Sequence, residues 1–309
     1  MYAHEHLDHI VQRAAKLATS RVAVVYPCSL SAIGAAASAQ AVGLIKPLIV
    51  GPSQRIHALA DEHGVDVRAM EFVDTDDDPG AAARAAVRLC QEGRVDVVMK
   101  GSQHTDELLG VLVSKDSGMR TGRRMSHAFV FDLPNYPKLL MMADCVVNIS
   151  PTLMEKRDIV QNAIDLAQSL DVAHPYVAIL SAVEMINPAI PSTIDAAALS
   201  KMAHRGQITG ATVDGPLSFD VAISARAAAI KSVAMQSDSQ PDILIAPDLN
   251  AGNMLYKQLV YLAGAECAGV ILGTRVPIVI TSRADSAMCR LASCALASLH
   301  AHRQRRPLA

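Results

Sequence analysis

The sequence predicts an α/β fold in which parallel β-sheets are covered by helices on both faces and are divided between two domains. Short continuous apolar runs alternate with stretches of helical periodicity along the chain, beginning with VAVVY at residues 22–26. Such runs are typical of parallel strands that are buried on both sides. The chain has 309 residues, more than one compact core usually holds, so two domains are expected.

Each predicted strand runs into a loop and then a helix. In chain order the strands are RVAVVYP (21–27), KPLIVG (46–51), VDVVMKG (95–101), DCVVNIS (144–150), YVAILSA (176–182), DILIAPD (242–248) and VPIVITS (276–282). The helix after DCVVNIS is predicted to have Ser150 as its N-cap and Pro151 at its first position. The proline-rich stretch FDLPNYPK (131–138) is the predicted crossover between domains.

The composition argues against several classes of protein. Net charge is −2, no long basic tract is present, Trp is absent and aromatic residues make up 3 %, so binding to nucleic acid or to a membrane surface has little support. Residues 22–45 are uncharged, but their Ala, Ser and Gly content and Pro27 favour a buried strand and helix over a membrane span. The six scattered cysteines form no CxxC pair and indicate a reducing compartment. We expect a soluble cytoplasmic protein.

The first candidate site is the junction VVMKGSQHTDELL, where a strand meets a helix. Lys100 follows the strand directly, Gly101 permits close backbone approach, and His104 or Thr105 stands where the helix begins. In parallel sheets ligands bind beyond the carboxyl ends of the strands, and Lys100 would neutralise a phosphate as a point charge. The alternative is a plain turn with a threonine cap.

A second junction, ILIAPDLNAGNMLYK, carries two asparagines around a glycine. Asn250 and Asn253 offer amide donors, and Gly252 leaves room for a ligand against the backbone. Capping the helix requires only one asparagine, so ligand binding is the favoured interpretation.

The third junction is PIVITSRADS, residues 277–286. Ser282 and Asp285 fit a capping box at the start of a helix. Arg283 does not fit, because the helix macrodipole disfavours a cation at this end by some tenths of a kcal/mol, roughly. An anion bound at the same place would explain it.

Clusters of charge elsewhere have simpler interpretations. The loop SKDSGMRTGRRMSHAF contains Lys115, Arg120, Arg123 and Arg124, which are either a solvated surface or a site for a substrate with several phosphates. The acids of DTDDD (74–78) are interpreted as a solvated loop rather than a magnesium site, and HEH (4–6) as a frayed end. No metal site is expected.

Four stretches together resemble one known family. PDLNAGNMLYK followed by PIVITSRADS, with MMADCVVNISPTLMEKRDIVQNAI and VVMKGSQHT, resembles the phosphate acetyltransferase and phosphate butyryltransferase family. The likeness is closest to its butyryltransferase branch and to the phosphotransacylase domain of enoyl-CoA hydratase fusions, and it covers nearly the whole chain.

The resemblance implies the reaction acyl-CoA + phosphate ⇌ acyl phosphate + CoA, with an acetyl or butyryl group, in an acyltransferase without metal or prosthetic group. CoA enters as a substrate. It also implies an isocitrate/isopropylmalate-dehydrogenase-like fold of two α/β domains with a cleft between them. The first domain would comprise residues 1–132 and 275–309 and the second residues 133–274. Members of the family are usually homodimers or larger assemblies.

The resemblance also assigns roles to the candidate residues. Ser282 would hydrogen-bond the reacting carbonyl or thiol, and Arg283 would hold the phosphate and stabilise charge in the transition state. The two asparagines and Gly252 would contact the acyl phosphate or the CoA arm.

The sequence departs from the acetyltransferase pattern at two positions, where Leu109 stands in place of an arginine and Cys289 in place of an aspartate. Asp285 is then the nearest candidate base, and Lys100, Arg120 and Arg123 are inferred to take over anion binding. Two alternatives remain: an NAD-dependent decarboxylating dehydrogenase of the same architecture, and a non-catalytic CoA-binding homologue.

Overall fold

The structure is a computed structural model, which describes residues 4–237, 239–281 and 285–305. The chain forms two compact units: unit 1 comprises Met1–His6 and Arg123–Cys267, and unit 2 comprises Leu7–Gly122 and Ala268–Ala309. The C-terminal segment therefore belongs with the N-terminal part of the chain. Residues 123–132 were expected in the first domain but belong to unit 1. The strand pairing described below explains this difference.

The strands are β1 (Ser20–Val25), β2 (Ile45–Gly51), β3 (Glu71–Asp74), β4 (Val97–Lys100), β5 (Ser126–Asp132), β6 (Leu140–Ala143), β7 (Tyr176–Leu180), β8 (Thr212–Leu217), β9 (Ile243–Ile245), β10 (Glu266–Leu272) and β11 (Ile278–Val279). The helices are α1 (Glu5–Ala15), α2 (Leu30–Ala41), α3 (Ser53–His63), α4 (Pro79–Gln91), α5 (Thr105–Leu112), α6 (Leu153–Ser169), α7 (Pro191–His204), α8 (Phe219–Ile223), α9 (Ala225–Ile230), α10 (Leu249–Tyr261) and α11 (Ala287–Arg305). A 3₁₀ turn covers Lys115–Ser117.

In unit 2 the strand order is β3-β2-β1-β4-β11-β10. All neighbours are parallel except β10 and β11, which are antiparallel. The carboxyl ends of β1, β2, β3, β4 and β11 therefore lie at one edge of the sheet, where the loops that follow them meet. The central strands are almost wholly buried, which confirms the prediction of strands covered on both faces.

In unit 1 the strand order is β5-β6-β9-β7-β8. The pairs from β6 to β8 are parallel, and β5 pairs with β6 in antiparallel register, for example Phe129 opposite Met142. This pairing explains why β5 belongs to unit 1 although it precedes the predicted crossover.

The predicted strand DCVVNIS is wrong, because residues 144–152 form a turn. The strand lies earlier, at β6, and the Asp144 carboxylate ends it by accepting hydrogen bonds from the backbone N–H groups of Val146 and Val147 at 2.8 and 2.9 Å. The helix α6 begins with Thr152 as N-cap in a capping box with Glu155, not with Ser150. The N–H of Thr152 donates to the Glu155 carboxylate at 2.8 Å, which fixes the start of the helix there.

The residues around HEH form a helix rather than a frayed end. α1 buries Leu7, Ile10 and Ala14, so a regular apolar stripe holds this segment. The uncharged segment 22–45 is the strand β1 followed by α2, as predicted. Within the described ranges, no helix is both long and apolar enough to cross a bilayer.

Candidate active site

A cluster of hydroxyl groups lies at the carboxyl edge of the sheet in unit 2. The Ser102 hydroxyl, after β4, donates to the Ser29 hydroxyl, after β1, at 3.0 Å. Ser31 lies 3.3 Å from Ser29 between their hydroxyl oxygens. Together with Lys100 and Arg290, these serines line a small polar pocket. We call this set of five residues the hydroxyl pocket.

Gly101 holds the two loops together, because a larger residue would not fit. A Cβ atom at this position would lie 2.3 Å from the Val25 carbonyl oxygen and 2.6 Å from that of Tyr26. The N–H groups of Gly101 and Ser102 donate to these same two carbonyls at 2.8 and 2.9 Å. The predicted close backbone approach therefore exists, and the approaching backbone is the chain's own. It fixes Ser102 beside Ser29.

The turn after β1 is held by a polar network. Tyr26 has a φ of 52°, in the left-handed region that residues other than glycine rarely adopt. Its hydroxyl donates to the Asp77 carboxylate at 2.5 Å, and Arg55 donates to both. Burial, followed by the bond to Asp77, raises the pKa of Tyr26 to about 12, so the hydroxyl keeps its proton at neutral pH. The network anchors the turn that precedes Ser29.

The Cys28 thiol and the acidic loop DTDDD lie near this turn, and their contacts indicate structural roles. Burial raises the pKa of the Cys28 thiol, which keeps it protonated and unsuited to nucleophilic attack. In the acidic loop DTDDD, Asp77 pairs with Arg55 and Asp78 caps α4 by accepting from Gly80 and Ala81. The loop is thus engaged in caps and ion pairs. No cluster with metal-ligand composition is found in the described part of the chain.

Lys100 lies half-buried at the end of β4. Its ammonium donates to the carbonyl oxygens of Gly101 and Gln103 at 3.2 and 2.9 Å, so it folds over its own loop while lining the hydroxyl pocket. The following helix α5 begins at Thr105 with His104 as the N-cap residue, whose N–H donates to Glu107 at 2.9 Å. The threonine cap considered as the alternative is wrong, and ligand roles for His104 and Thr105 stay predictions.

Three arginines of the predicted basic loop each contact another group of their own unit. In unit 2, the Arg120 guanidinium donates to the Val113 carbonyl at 2.6 Å. In unit 1, Arg123 forms an ion pair with Asp165, and Arg124 bonds Asn148 at 2.7 Å. These contacts fit structural ion pairs and loop anchors as well as they fit anion binding, which stays a prediction for Arg120 and Arg123.

The second junction, in unit 1, shows what Gly252 and Asn253 contact. Asp248 caps α10 by accepting from the Ala251 N–H at 3.0 Å. A Cβ on Gly252 would lie 2.5 Å from the Asp144 carbonyl oxygen, and the Asn253 amide donates to the Cys145 carbonyl at 3.1 Å. Both residues therefore dock α10 on the turn after β6.

Asn250 differs from its neighbours, since it is exposed on the first turn of α10. Of the three residues predicted to contact a ligand at this junction, it is the one whose position on the surface fits that role most simply. Contacts of Asn250, Gly252 and Asn253 with the acyl phosphate or CoA stay predictions.

At the third junction, Ser282 and Arg283 lie outside the described residues. Asp285 is half-buried and precedes α11 by two positions. The predicted capping box is corrected, because Ser286 caps this helix: its hydroxyl accepts from the Cys289 N–H at 2.9 Å. Asp285 is therefore not the third helical residue that a capping box requires, and its role as a base stays a prediction.

Three residues of the hydroxyl pocket, Ser29, Ser31 and Arg290, were missed by sequence reasoning, and Ser102 was quoted but not assigned. The available signal was the junction VAVVYPCSLS, where a buried strand ends in a polar turn before a helix, as at the three junctions that were singled out. The contact partner of Ser29 is 73 positions away along the chain, which the local pattern does not reveal.

Hydroxyl and cationic side chains at the carboxyl edge of a parallel sheet are found in many classes of α/β enzyme, and similarity to known proteins shows which class this chain belongs to. The family model described as "Phosphate acetyl/butaryl transferase" matches residues 80–298. A phosphate acetyltransferase of Rhizobium meliloti is 49 % identical over 298 residues, covering 96 % of this chain and 94 % of the relative. A phosphate butyryltransferase of Clostridium acetobutylicum is 39 % identical over 292 residues, covering 94 % and 97 %.

Solved structures agree with this assignment. The crystal structure of a branched-chain phosphotransacylase from Enterococcus faecalis superimposes with a TM-score of 0.80 at 30 % identity, covering 92 % of this chain and 99 % of that one. The chain belongs to the phosphate acetyltransferase and phosphate butyryltransferase family, and it is an acyltransferase. This confirms the resemblance. Of the two relatives compared by sequence, the acetyltransferase has the higher identity, although the motifs pointed to the butyryltransferase branch.

Proposed function

We propose that the protein reversibly transfers a short acyl group, acetyl or butyryl, between CoA and inorganic phosphate. Membership of the family favours this reaction over the dehydrogenase alternative. The observation that carries the proposal in the structure is the hydroxyl pocket, where three serine hydroxyls and two cationic side chains meet at the carboxyl edge of one sheet. Hydroxyl and cationic donors are the groups that bind phosphate in proteins.

The pocket fits a dianion better than a neutral ligand. Lys100 and Arg290 bring two positive charges to its lining. Ser29 stands at the N-terminus of α2, a helix of 12 residues without an acidic residue in its first turn, so the macrodipole adds a partial positive charge there. Phosphate would accept hydrogen bonds from the serine hydroxyls, each of which can rotate its proton towards an oxygen.

The chemistry needs no covalent intermediate on the protein. A phosphate oxygen attacks the thioester carbonyl carbon, a tetrahedral intermediate forms, and the carbon–sulfur bond breaks as the thiolate leaves. The proton of hydrogen phosphate ends on the CoA thiol, so the reaction is balanced. In this proposal Arg283 stabilises the developing negative charge and Ser282 hydrogen-bonds the carbonyl or the thiol. Asp285 receives the thiol proton in the reverse direction.

Further features belong to the same proposal. CoA acts as a substrate, no metal or prosthetic group takes part, and the two units form the two domains of an isocitrate/isopropylmalate-dehydrogenase-like fold. The protein works in the cytoplasm as a homodimer or a larger homo-oligomer. A single sedimentation measurement at micromolar concentration tests the last point, since a mass near 32.7 kDa would contradict it.

A series of acyl-CoA thioesters tests the reaction itself. With phosphate present, we expect purified protein to release free thiol from acetyl-, propionyl- or butyryl-CoA, and the preferred chain length is read from the kcat/KM values. If no thioester of the series yields thiol, the proposed function is wrong.

The Ser29→Ala variant tests the hydroxyl pocket. We expect the KM for phosphate to rise about tenfold, because a hydrogen bond to a charged group contributes roughly 1.5–3 kcal/mol. The KM for acyl-CoA should change little. Ser29 also caps α2, accepting from the Ala32 N–H at 3.4 Å, so about 1 kcal/mol of stability should be lost as well.

The matched control for this variant is Ser224→Ala, which removes another serine N-cap, at α9, without touching the hydroxyl pocket. It should lower stability and leave the KM for phosphate unchanged. An equal rise in both variants would mean that Ser29 acts only as a cap.

A further inference from the structure

The acidic loop DTDDD (74–78) makes a contact that the proposed reaction does not use. Asp77 accepts a hydrogen bond from the Tyr26 hydroxyl at 2.5 Å and forms an ion pair with Arg55 at 2.9 Å. Arg55, on α3, also donates to the Tyr26 hydroxyl at 3.0 Å. Three segments of unit 2 that are distant in the sequence therefore meet at this hydroxyl. We call Tyr26, Arg55 and Asp77 the tyrosine tether.

The backbone of Tyr26 is strained. Its φ of 52° lies in the left-handed region, which glycine adopts freely and other residues rarely adopt. A glycine at this position would relieve the strain, but it has no side chain by which the turn could be held. Strained backbone persists where its surroundings fix it, and it is common at functional sites. The tyrosine tether supplies this support, because the ring is only 9 % exposed and two charged groups hold its hydroxyl.

The carbonyl group of Tyr26 connects the tyrosine tether to the hydroxyl pocket. It accepts hydrogen bonds from the N–H groups of Cys28 and Ser102, both at 2.9 Å. Cys28 directly precedes Ser29, and the hydroxyls of Ser29 and Ser102 lie 3.0 Å apart. One carbonyl group thus holds both loops that carry the pocket. A change in the backbone of Tyr26 would move this carbonyl and separate the two serines.

The exposure of the charged partners argues against a role in stability alone. The side chains of Arg55 and Asp77 are each 52 % exposed, and ion pairs at exposed positions contribute little to the free energy of unfolding. The hydrogen bond from the Tyr26 hydroxyl to a carboxylate is charge-assisted and therefore short and directional. Its main effect is to fix where the ring lies, and the ring fixes the turn.

We propose that Asp77 and Tyr26 are positioning residues for phosphate binding. Asp77 holds the Tyr26 hydroxyl, and the Tyr26 carbonyl sets the spacing of Ser29 and Ser102 in the hydroxyl pocket. Neither positioning residue touches phosphate or takes part in bond making, and Arg55 keeps the Asp77 carboxylate in place. The inference rests on the proposed function, because it takes inorganic phosphate as the ligand of the hydroxyl pocket.

The Asp77→Ala variant tests this inference, because it removes the acceptor from a half-exposed position. We expect the Kd of inorganic phosphate, measured by calorimetry, and the KM for phosphate each to rise about tenfold. The KM for acyl-CoA should change little, since the two serines are the groups that move. Asp77→Asn keeps an oxygen that can accept from the tyrosine, so it should recover part of the affinity for phosphate.

The matched control is Asp78→Ala, at the next position of the same loop. Asp78 caps α4 by accepting from the N–H groups of Gly80 and Ala81, and it makes no contact with Tyr26 among those the structure describes. The control loses the same charge and should lower the Tm, while its Kd for phosphate should match that of the wild type. An equal rise in Kd in both variants would overturn the inference, since the loss of charge or of stability would then explain it.

A double-mutant cycle examines the hydrogen bond itself. Tyr26→Phe removes the hydroxyl and keeps the ring, so it should raise the Kd of phosphate about as much as Asp77→Ala does. The double variant should bind phosphate no more weakly than either single variant, because both changes break one interaction. Effects that multiply would overturn the inference, since the two residues would then act independently. If Tyr26→Phe unfolds, a folded Asp77→Ala protein that binds phosphate within about twofold of the wild type would overturn it.

The outcomes also separate this inference from the proposed function. Wild-type protein that releases no thiol from any acyl-CoA contradicts the proposed function, yet phosphate binding to the wild type and to Asp77→Ala still tests the tyrosine tether. Wild-type protein that turns over acyl-CoA, with Asp77→Ala showing the same KM for phosphate, contradicts the inference about the tyrosine tether alone.

Discussion

Replacement of Arg283 by alanine should remove most of the turnover and leave stability almost unchanged. The proposed role of this residue is to hold phosphate and to stabilise the negative charge that develops in the tetrahedral intermediate. Removing one such donor commonly lowers kcat by about 100- to 1,000-fold. Stability should change little, because the proposed role of Arg283 lies in binding and catalysis and not in folding. Steady-state kinetics with acyl-CoA and phosphate, together with thermal unfolding, measure both effects.

Two further variants sharpen this prediction. Arg88→Ala removes the same charge from an exposed position on α4 and should keep the wild-type rate. Arg283→Lys retains the charge but loses the planar fork that binds phosphate through two parallel hydrogen bonds, so it should recover only part of the activity. Near wild-type rates in Arg283→Ala would mean that phosphate is held elsewhere.

Gly101→Ala should abolish the hydroxyl pocket and strongly destabilise unit 2. The added Cβ would lie 2.3 Å from the Val25 carbonyl oxygen and 2.6 Å from the carbonyl carbon of Tyr26, distances that require the backbone to move. Overpacking of this kind costs about 1–3 kcal/mol or more. The shift would separate Ser102 from Ser29, so the KM for phosphate should rise even in protein that remains folded. Chemical denaturation and phosphate kinetics report on the two effects.

The comparison for Gly101 is Gly110, in α5 of the same unit, where a Cβ would meet nothing within 4 Å. Gly110→Ala should be neutral or should stabilise the protein by up to about 1 kcal/mol, because alanine favours the helix. If both variants had the same stability, the close approach at Gly101 would not be what holds the loops.

The architecture could be predicted from the sequence because its strands are buried on both faces. Runs such as VAVVY and PLIVG have an unmistakable apolar pattern, and most of the predicted strands are found in the structure. DCVVNIS was misassigned because its apolar residues suggest a strand, whereas the Asp144 carboxylate captures the N–H groups of the next turn. Competition between a side chain and the strand ladder for backbone donors is not visible in hydrophobicity.

Sequence reasoning found the residues of the candidate site that stand together at one strand–helix junction. It missed those that are distant in sequence and meet only in the fold. Lys100 and Gly101 stand together in the sequence; Lys100 belongs to the hydroxyl pocket, and Gly101 holds the loop that carries it. Ser29 looked like an ordinary helix cap, since its second partner, Ser102, is brought to it by the pairing of β1 with β4. Gly252 and Asn253 were expected to contact a ligand because two asparagines exceed what capping needs. The structure shows that one of them bonds the Cys145 carbonyl.

The most direct measurement is the stoichiometry of the reaction with wild-type protein. Acetyl-CoA or butyryl-CoA is incubated with and without phosphate, free thiol is followed by its reaction with a chromogenic disulfide, and acyl phosphate is trapped as the hydroxamate. We predict that thiol appears only when phosphate is present and that one acyl phosphate forms for each thiol released. Thiol release at the same rate without phosphate, or without matching acyl phosphate, would contradict transfer to phosphate.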